Sequence, residues 1–275
     1  MGRGIAQVAA AAGYETVLHD LAADALEAAR ASIAAFLDRG VAKGKASRED
    51  ADETLGRLSF ETDLARAAAG ADMVVEAVFE DLDLKRRIFR TVAAAASPSA
   101  VLASNTSSLP ITAIADASGR PDRVIGMHFF NPVPLMPLLE IVRTGATHPE
   151  VLEAAIATGK RMGKETIVVR DSPGFATSRL GLALGLEAMR MFEEGVASAA
   201  DIDRAMELGY RHPMGPLRLT DLVGLDVRLA IAEHLSRELG SDRFAPPEIL
   251  RRLVAEGKLG KKSGEGFHRW DADSK

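Results

Sequence analysis

The sequence predicts an α/β fold, a mostly parallel sheet flanked by helices and followed by an all-helical C-terminal domain. Three observations predict it. Short β-branched runs alternate with helix-length segments from Glu15 to Val142, the pattern of parallel strands joined by crossover helices. Strand signals stop beyond Arg170, and the rest of the chain reads as helices only. The turn Asp171-Ser172-Pro173-Gly174 separates the two regimes, which sets the domains at residues 1–170 and 171–275.

A chain of 275 residues, 47% of them hydrophobic, is long enough to build two cores. Its net charge of -5 leaves no electrostatic footprint for nucleic acid. The lack of cysteine excludes disulfides, thiolate chemistry and cysteine-ligated metal, and makes a reducing cytoplasm the simplest location. No apolar run approaches the ~18 residues of a membrane span, and no signal-peptide pattern opens the chain, so no membrane partner is expected. His19, His148, His212, His234 and His268 lack metal-ligand spacing and read as surface or capping residues; no metal site is expected.

Taken in order, Met1-Gly2-Arg3-Gly4 opens an Ala-rich helix that is followed by Gly13 and a strand ending at Asp20. Gly, helix, Gly, strand and terminal acid form the back half of a dinucleotide-binding βαβ unit, in which the acid holds the adenosine ribose. This fits a Rossmann-type first domain, with Gly2 and Asp20 as cofactor candidates, but on its own the fragment reads at least as well as an ordinary helix-Gly-strand unit. Asp20 would equally serve as N-cap of the helix beginning near Leu21. The first strand and first two glycines of Gly-x-Gly-x-x-Gly do not precede that helix. A start codon placed too late, a trimmed chain or a degenerate protein would each account for this. The first is favoured, because a sheet without its middle strand exposes edges and apolar surface at a cost few domains survive. On that reading, upstream residues supply a β-branched strand ending in Gly-x-Gly directly before Met1.

Leu21, Ala25, Leu26, Ala29, Ile33 and Phe36 recur at helical spacing. The helix runs into Arg39-Gly40-Val41-Ala42-Lys43-Gly44-Lys45, either a solvated helix end complementing its dipole or a handle for a polyanionic substrate. Then come strand Leu58 to Phe60, a short helix, strand Met73 to Phe79, helix Leu82 to Ala95 and strand Val101 to Ser104. Ligands of parallel sheets lie at the carboxyl ends of the strands. Glu76, Glu80 and Lys85 fall at that edge, as do Ser104 to Ser108, although Glu80 and Lys85 read equally as an ordinary helix-entry pair.

His128 lies inside the run Val124 to Phe130 and Glu140 inside Leu138 to Val142. If the connection Asn131 to Pro137 brings these runs side by side, an imidazole meets a carboxylate in an apolar interior. A carboxylate on one ring nitrogen fixes the tautomer and raises the basicity of the other, as a general base requires. A lone histidine in a strand is more often a core residue bonded to backbone. The adjacent Ser-Asn-Thr-Ser-Ser loop and Asn-Pro turn favour the functional reading.

Past the boundary, helices are expected over Phe175 to Glu194, Ala200 to Leu208, Pro216 to Val223, Asp226 to Leu239 and Pro247 to Glu256. Leu180, Leu182, Leu184, Leu186 and Met189 form faces larger than one helix hides against a single neighbour, which suggests a homodimer.

The segments MGRGIAQVAA, VVEAVFED, ASNTSSL, GMHFFNPVPLMPLLEIV, DSPGF, YRHPMGPLRLTDLVGLD and GKKSGEGF, in this order over nearly the whole chain, resemble the L-3-hydroxyacyl-CoA dehydrogenase family, in particular its bacterial 3-hydroxybutyryl-CoA type. The resemblance implies NAD-dependent oxidation of a short-chain (S)-3-hydroxyacyl-CoA to the 3-ketoacyl-CoA, in fatty acid or butanoate metabolism. It implies His128 as general base, Glu140 as its orienting carboxylate, Ser107 as the hydrogen-bonding partner of the reacting oxygen and Asn131 at the nicotinamide end. Asp20 would bind ribose, Glu80, Lys85 and Lys262 would line the cofactor site, and Lys43 and Lys45 would meet coenzyme A phosphates. Asp20 with no following Arg favours NAD over NADP. Ser178 stands where many members carry an Asn that touches the substrate carbonyl; it keeps a donor but has shorter reach. Ser178 and the missing glycines keep a second reading open, a non-catalytic coenzyme A thioester-binding or structural member of the same fold.

Overall fold

In the computed structural model, which describes residues 1–270, the chain divides into two units, Met1–Ser172 and Pro173 onward. The first unit opens with α1 (Gly2–Ala11), after which β1 (Thr16–His19) pairs in parallel with β2 (Leu58–Glu61) as a separate two-stranded sheet. A second sheet holds β3 (Met73–Glu76), β4 (Val101–Ser104), β5 (Val124–Phe129), β6 (Leu138–Arg143) and β7 (Glu165–Arg170), in that spatial order. All its neighbours are parallel except β5 and β6, which run antiparallel. The crossovers are α2 (Ala23–Ala42), α3 (Arg48–Gly56), α4 (Leu64–Ala68), α5 (Leu82–Ala95), α6 (Ile111–Ser118) and α7 (Pro149–Arg161). This is the mostly parallel, Rossmann-type architecture expected from the alternating runs.

Several boundaries differ from expectation for local reasons. β3 ends at Glu76 rather than at Phe79, because the Glu76 carboxylate turns back to accept the Val78 amide at 2.6 Å. The N-cap of α2 is Ala22, not Asp20; Asp20 instead accepts the Ala22 amide in a local turn, at 3.1 Å. α3 has almost no apolar periodicity and starts instead at a capping box between Ser47 and Asp50. β7 is an edge strand with mixed exposure, so its ETIVVR sequence lacks the clean pattern that marks β4 and β5.

β4, β5 and β6 carry the core of the first unit. Ile125, Met127, Leu139 and Ile141 are fully buried between strands and α7, and Ile5 of α1 joins the same cluster. The second unit consists of α8 (Thr177–Glu193), α9 (Ala199–Tyr210), α10 (Pro216–Val223), α11 (Leu225–Leu239) and α12 (Glu248–Ala255). Leu182, Leu186 and Met189 are buried within this unit's own core, so the long apolar face of α8 is mostly satisfied internally; Leu180 remains 71% exposed. His268 is no free surface residue: its Nε2 lies 2.7 Å from buried Asp203, whose carboxylate also accepts the Leu217 and Arg218 amides at the start of α10.

Gly126 is the close-packing point of the β5–β6 pair. A methyl carbon there would lie 2.8 Å from Val142 Cβ and 3.0 Å from Ile111 Cδ1. Gly126→Ala is expected to destabilise the protein by ~1–3 kcal/mol through overpacking, measured by urea unfolding; an unchanged midpoint would show that α6 yields freely.

Candidate active site

β5 and β6 place His128 directly opposite Glu140 in antiparallel register. Their side chains share one face, and His128 Nδ1 lies 2.7 Å from Glu140 Oε2. Glu140 is fully buried and His128 nearly so, with Phe130 at a ring-centroid distance of 4.5 Å. An ionised carboxylate only accepts, so Nδ1 carries the proton and the neutral ring's proton-accepting lone pair is on Nε2.

The loop after β4 is tied to this pair through Asn105, whose side-chain oxygen accepts the Phe129 amide at 2.8 Å. The next two residues are held by Glu80, which lies beyond the end of β3. Glu80 Oε1 accepts the Thr106 hydroxyl (2.9 Å), the Ser107 amide (2.6 Å) and the Ser107 hydroxyl (2.9 Å). Lys85 Nζ lies 3.4 Å from Glu80 Oε2 and donates to Glu76 Oε1 at 2.7 Å, and Ser104 donates to Glu76 Oε2 at 2.7 Å. The Lys85 side chain is only 1% exposed, so its ammonium reaches the surface of the site through Glu80. At the other end of the loop, the Asp171 carboxylate accepts the Ile111 and Thr112 amides and the Thr112 hydroxyl, which anchors the start of α6.

Asn131 is exposed and forms a cis peptide with Pro132 in the β5–β6 connection. Asp20 is exposed at the end of β1, followed by Leu21 at 85% exposure, while Phe79 after β3 is 87% exposed. Gly2 begins α1, which has no side-chain cap at its N-terminus. Lys43 and Lys45 are exposed in the turn between α2 and α3. Ser178 and Lys262 belong to the second unit, on α8 and in the C-terminal segment; the Lys262 ammonium contacts both oxygens of Asp226 at 2.5 and 2.6 Å. Among the described residues, no group of three or more His, Asp or Glu is arranged to hold a metal, and no helix is long and apolar enough to cross a membrane.

Glu76 and Asn105, expected at the ligand edge without a role of their own, hold Ser104 and the Phe129 amide. Lys164, which donates to two carbonyls of the β5–β6 connection, is absent from the expected site.

A Rossmann-type domain with a carboxylate directly after β1 and a buried His–Glu pair in the β5–β6 ladder fits the class of nicotinamide-dependent dehydrogenases. The chain belongs to the 3-hydroxyacyl-CoA dehydrogenase family: residues 1–172 match its NAD-binding domain and residues 174–270 its C-terminal domain. It is 46% identical to a Deinococcus radiodurans protein named "Probable 3-hydroxybutyryl-CoA dehydrogenase", over 98% of this chain and 96% of that one. It is 44% identical to a 3-hydroxybutyryl-CoA dehydrogenase of Mycobacterium tuberculosis, over 98% and 95%. The crystal structure of (S)-3-hydroxybutyryl-CoA dehydrogenase from Ralstonia eutropha is similar, with a TM-score of 0.95 at 39% identity over 98% of this chain and 95% of that one.

The buried Lys85–Glu76 pair makes a direct test of the site's framework. Lys85→Met leaves the Glu76 carboxylate buried without its cation and should cost ~3–5 kcal/mol. In a double-mutant cycle read by denaturant unfolding, adding Glu76→Gln should recover part of that loss; strict additivity would show that the two do not interact.

Proposed function

We propose that this protein oxidises a short-chain (S)-3-hydroxyacyl-CoA, with 3-hydroxybutyryl-CoA the best candidate, to the 3-ketoacyl-CoA with NAD. The observation that carries the proposal is the buried His128–Glu140 pair, in contact at 2.7 Å beside the Ser107 loop.

The residues at the strand ends fit the cofactor. Asp20 offers an exposed acceptor for ribose hydroxyls, the first turn of α1 at Gly2 offers main-chain donors for phosphate oxygens, and exposed Leu21 and Phe79 offer apolar surface for an aromatic base. When bound, NAD supplies the hydride acceptor. His128 takes the proton of the 3-hydroxyl at Nε2, and Glu140 keeps the ring in the required tautomer and lies against the positive charge that develops on it. Ser107 hydrogen-bonds the reacting oxygen. Its proton, directed to Glu80 in the structure, turns to that oxygen when the alcohol binds, because the single proton of the alcohol goes to His128. Asn131 supports the nicotinamide end, Glu80 lines the site directly, and Lys85 acts through Glu80. Lys262 serves the cofactor, Lys43 and Lys45 the coenzyme A phosphates, and Ser178 the substrate carbonyl. We further infer a homodimer, supported by the exposure of Leu180, Leu208, Tyr210 and Leu222 in the second unit, and a cytoplasmic location, supported by the lack of cysteine.

His128→Ala and Glu140→Gln are expected to lower turnover of acetoacetyl-CoA with NADH by about two to four powers of ten, the usual size of a general-base contribution. His128→Ala turning over within threefold of the wild type would sink the assignment. Thioester binding without NADH binding in parallel titrations would instead support the non-catalytic reading.

A further inference from the structure

The connection between the His128 and Glu140 strands is short of hydrogen-bond donors. Of its seven residues, Asn131-Pro132-Val133-Pro134-Leu135-Met136-Pro137, three are prolines, which bring carbonyl oxygens but no N–H. The Leu135 and Met136 amides both turn inward to the Pro132 carbonyl, at 2.9 and 3.0 Å. Val133 is buried in the core beside α1, where a methyl carbon added to Gly4 would lie 3.0 Å from its Cβ. The carbonyl of buried Val133 therefore needs a donor from elsewhere.

Lys164, between α7 and β7, supplies it. Its ammonium donates to the Val133 carbonyl at 2.5 Å and to the Met136 carbonyl at 2.9 Å, while the neighbouring Glu165 amide donates to the Pro137 carbonyl at 2.8 Å. Lys164 is 7% exposed, and burial pushes its amine below the ordinary lysine value. Both hydrogen bonds of its ammonium among the described residues end on this one loop. An apolar side chain would fill the same space without desolvating a charge, so the ammonium answers to what it holds rather than to packing.

We propose that Lys164 is a positioning residue for the reaction: by clamping the Val133 and Met136 carbonyls, it sets the loop that carries Asn131 and joins His128 to Glu140. It acts through main-chain atoms of that loop. The inference rests on the dehydrogenase reading above.

The lack of cysteine in the chain gives a clean test. Lys164→Cys introduces a single thiol, which bromoethylamine converts to a side chain of lysine length ending in an ammonium, and bromopropane to a neutral one of the same length. Both adducts, made in mild denaturant and refolded, fill the same space. With NADH and acetoacetyl-CoA, the aminoethyl form should recover kcat to within threefold of the wild type. The propyl form should stay at least tenfold lower, with KM for the thioester changed less than threefold. Hydrogen exchange of the Leu135 and Met136 amides should be at least tenfold faster in the propyl form than in the aminoethyl form. Equal kcat in the two adducts would overturn the role in the reaction. If the unmodified protein turned over no thioester, the dehydrogenase reading would fail on its own, and equal exchange rates in the two adducts would still overturn the clamp. Lys164→Arg and Lys164→Met, which need no refolding, give the same comparison under the same criteria.

Discussion

The antiparallel pairing of β5 with β6 is the constraint on which the site depends. In a ladder of this kind, residues directly opposite each other project on the same face, and a slip of one residue would send His128 and Glu140 to opposite faces. The neighbouring pairs Gly126–Val142, Met127–Ile141 and Phe129–Leu139 are buried on both faces of the sheet, so a slip would misplace all of them at once. The hairpin also reverses the direction of an otherwise parallel sheet at one point, and that reversal brings a strand end bearing His128 against a strand start bearing Glu140. A fully buried carboxylate is tolerated only with a partner. The imidazole is therefore as necessary to Glu140 as the carboxylate is to His128, and the chemistry and the packing are satisfied by one contact.

The second framework is electrostatic. Glu76 and Glu80 share the cation of Lys85, and each carboxylate also takes donors from the end of β4 and its loop, Ser104 at Glu76 and Thr106 and Ser107 at Glu80. The loop after β4 is thus held by residues at and beyond the end of β3, across the parallel ladder that joins the two strands. Asn105 ties the same loop to β5. Three adjacent strand ends meet at a handful of polar atoms, which is why short runs far apart in the chain form one site.

How much of this was legible depended on whether the signal was local. The strands β4 and β5 and the motifs at their ends stood out because buried parallel strands are apolar throughout and their polar ends contrast sharply. The partition of the loop was not legible: in Ser-Asn-Thr-Ser-Ser, every residue is a plausible ligand by type, and only the fold shows Asn105 serving the backbone and Thr106 serving Glu80. Lys164 carried no signal at all, because its partners are main-chain carbonyls, which leave no trace in residue types. The leucine-rich face of α8 was legible only in part, for a related reason. Spacing reveals that Leu182, Leu186 and Met189 share a face, but not that α10 and α11 of the same unit cover it. β7 and α3 escaped because an edge strand and a capped polar helix each lack the periodicity that burial imposes.

Lys85 and Lys262 show why residue type and motif alone do not determine a role. The resemblance implies the same function for both, yet their surroundings differ. Lys85 is enclosed, and breaking its pair would leave a buried carboxylate without a cation. Lys262 meets Asp226 in the open, with the two side chains 46% and 41% exposed. The hydrogen bond from Lys262 holds the Asp226 carboxyl below its ordinary value. A depressed carboxyl stabilises the fold above the pH range in which the unfolded chain's carboxyl titrates, and that contribution is lost as pH falls through the folded-state value. At this exposure it amounts to about 1 kcal/mol or less. Lys262 thus keeps its ion pair in contact with solvent, whereas Lys85 is enclosed between two carboxylates and acts on the loop after β4 through the positions it gives Glu76 and Glu80.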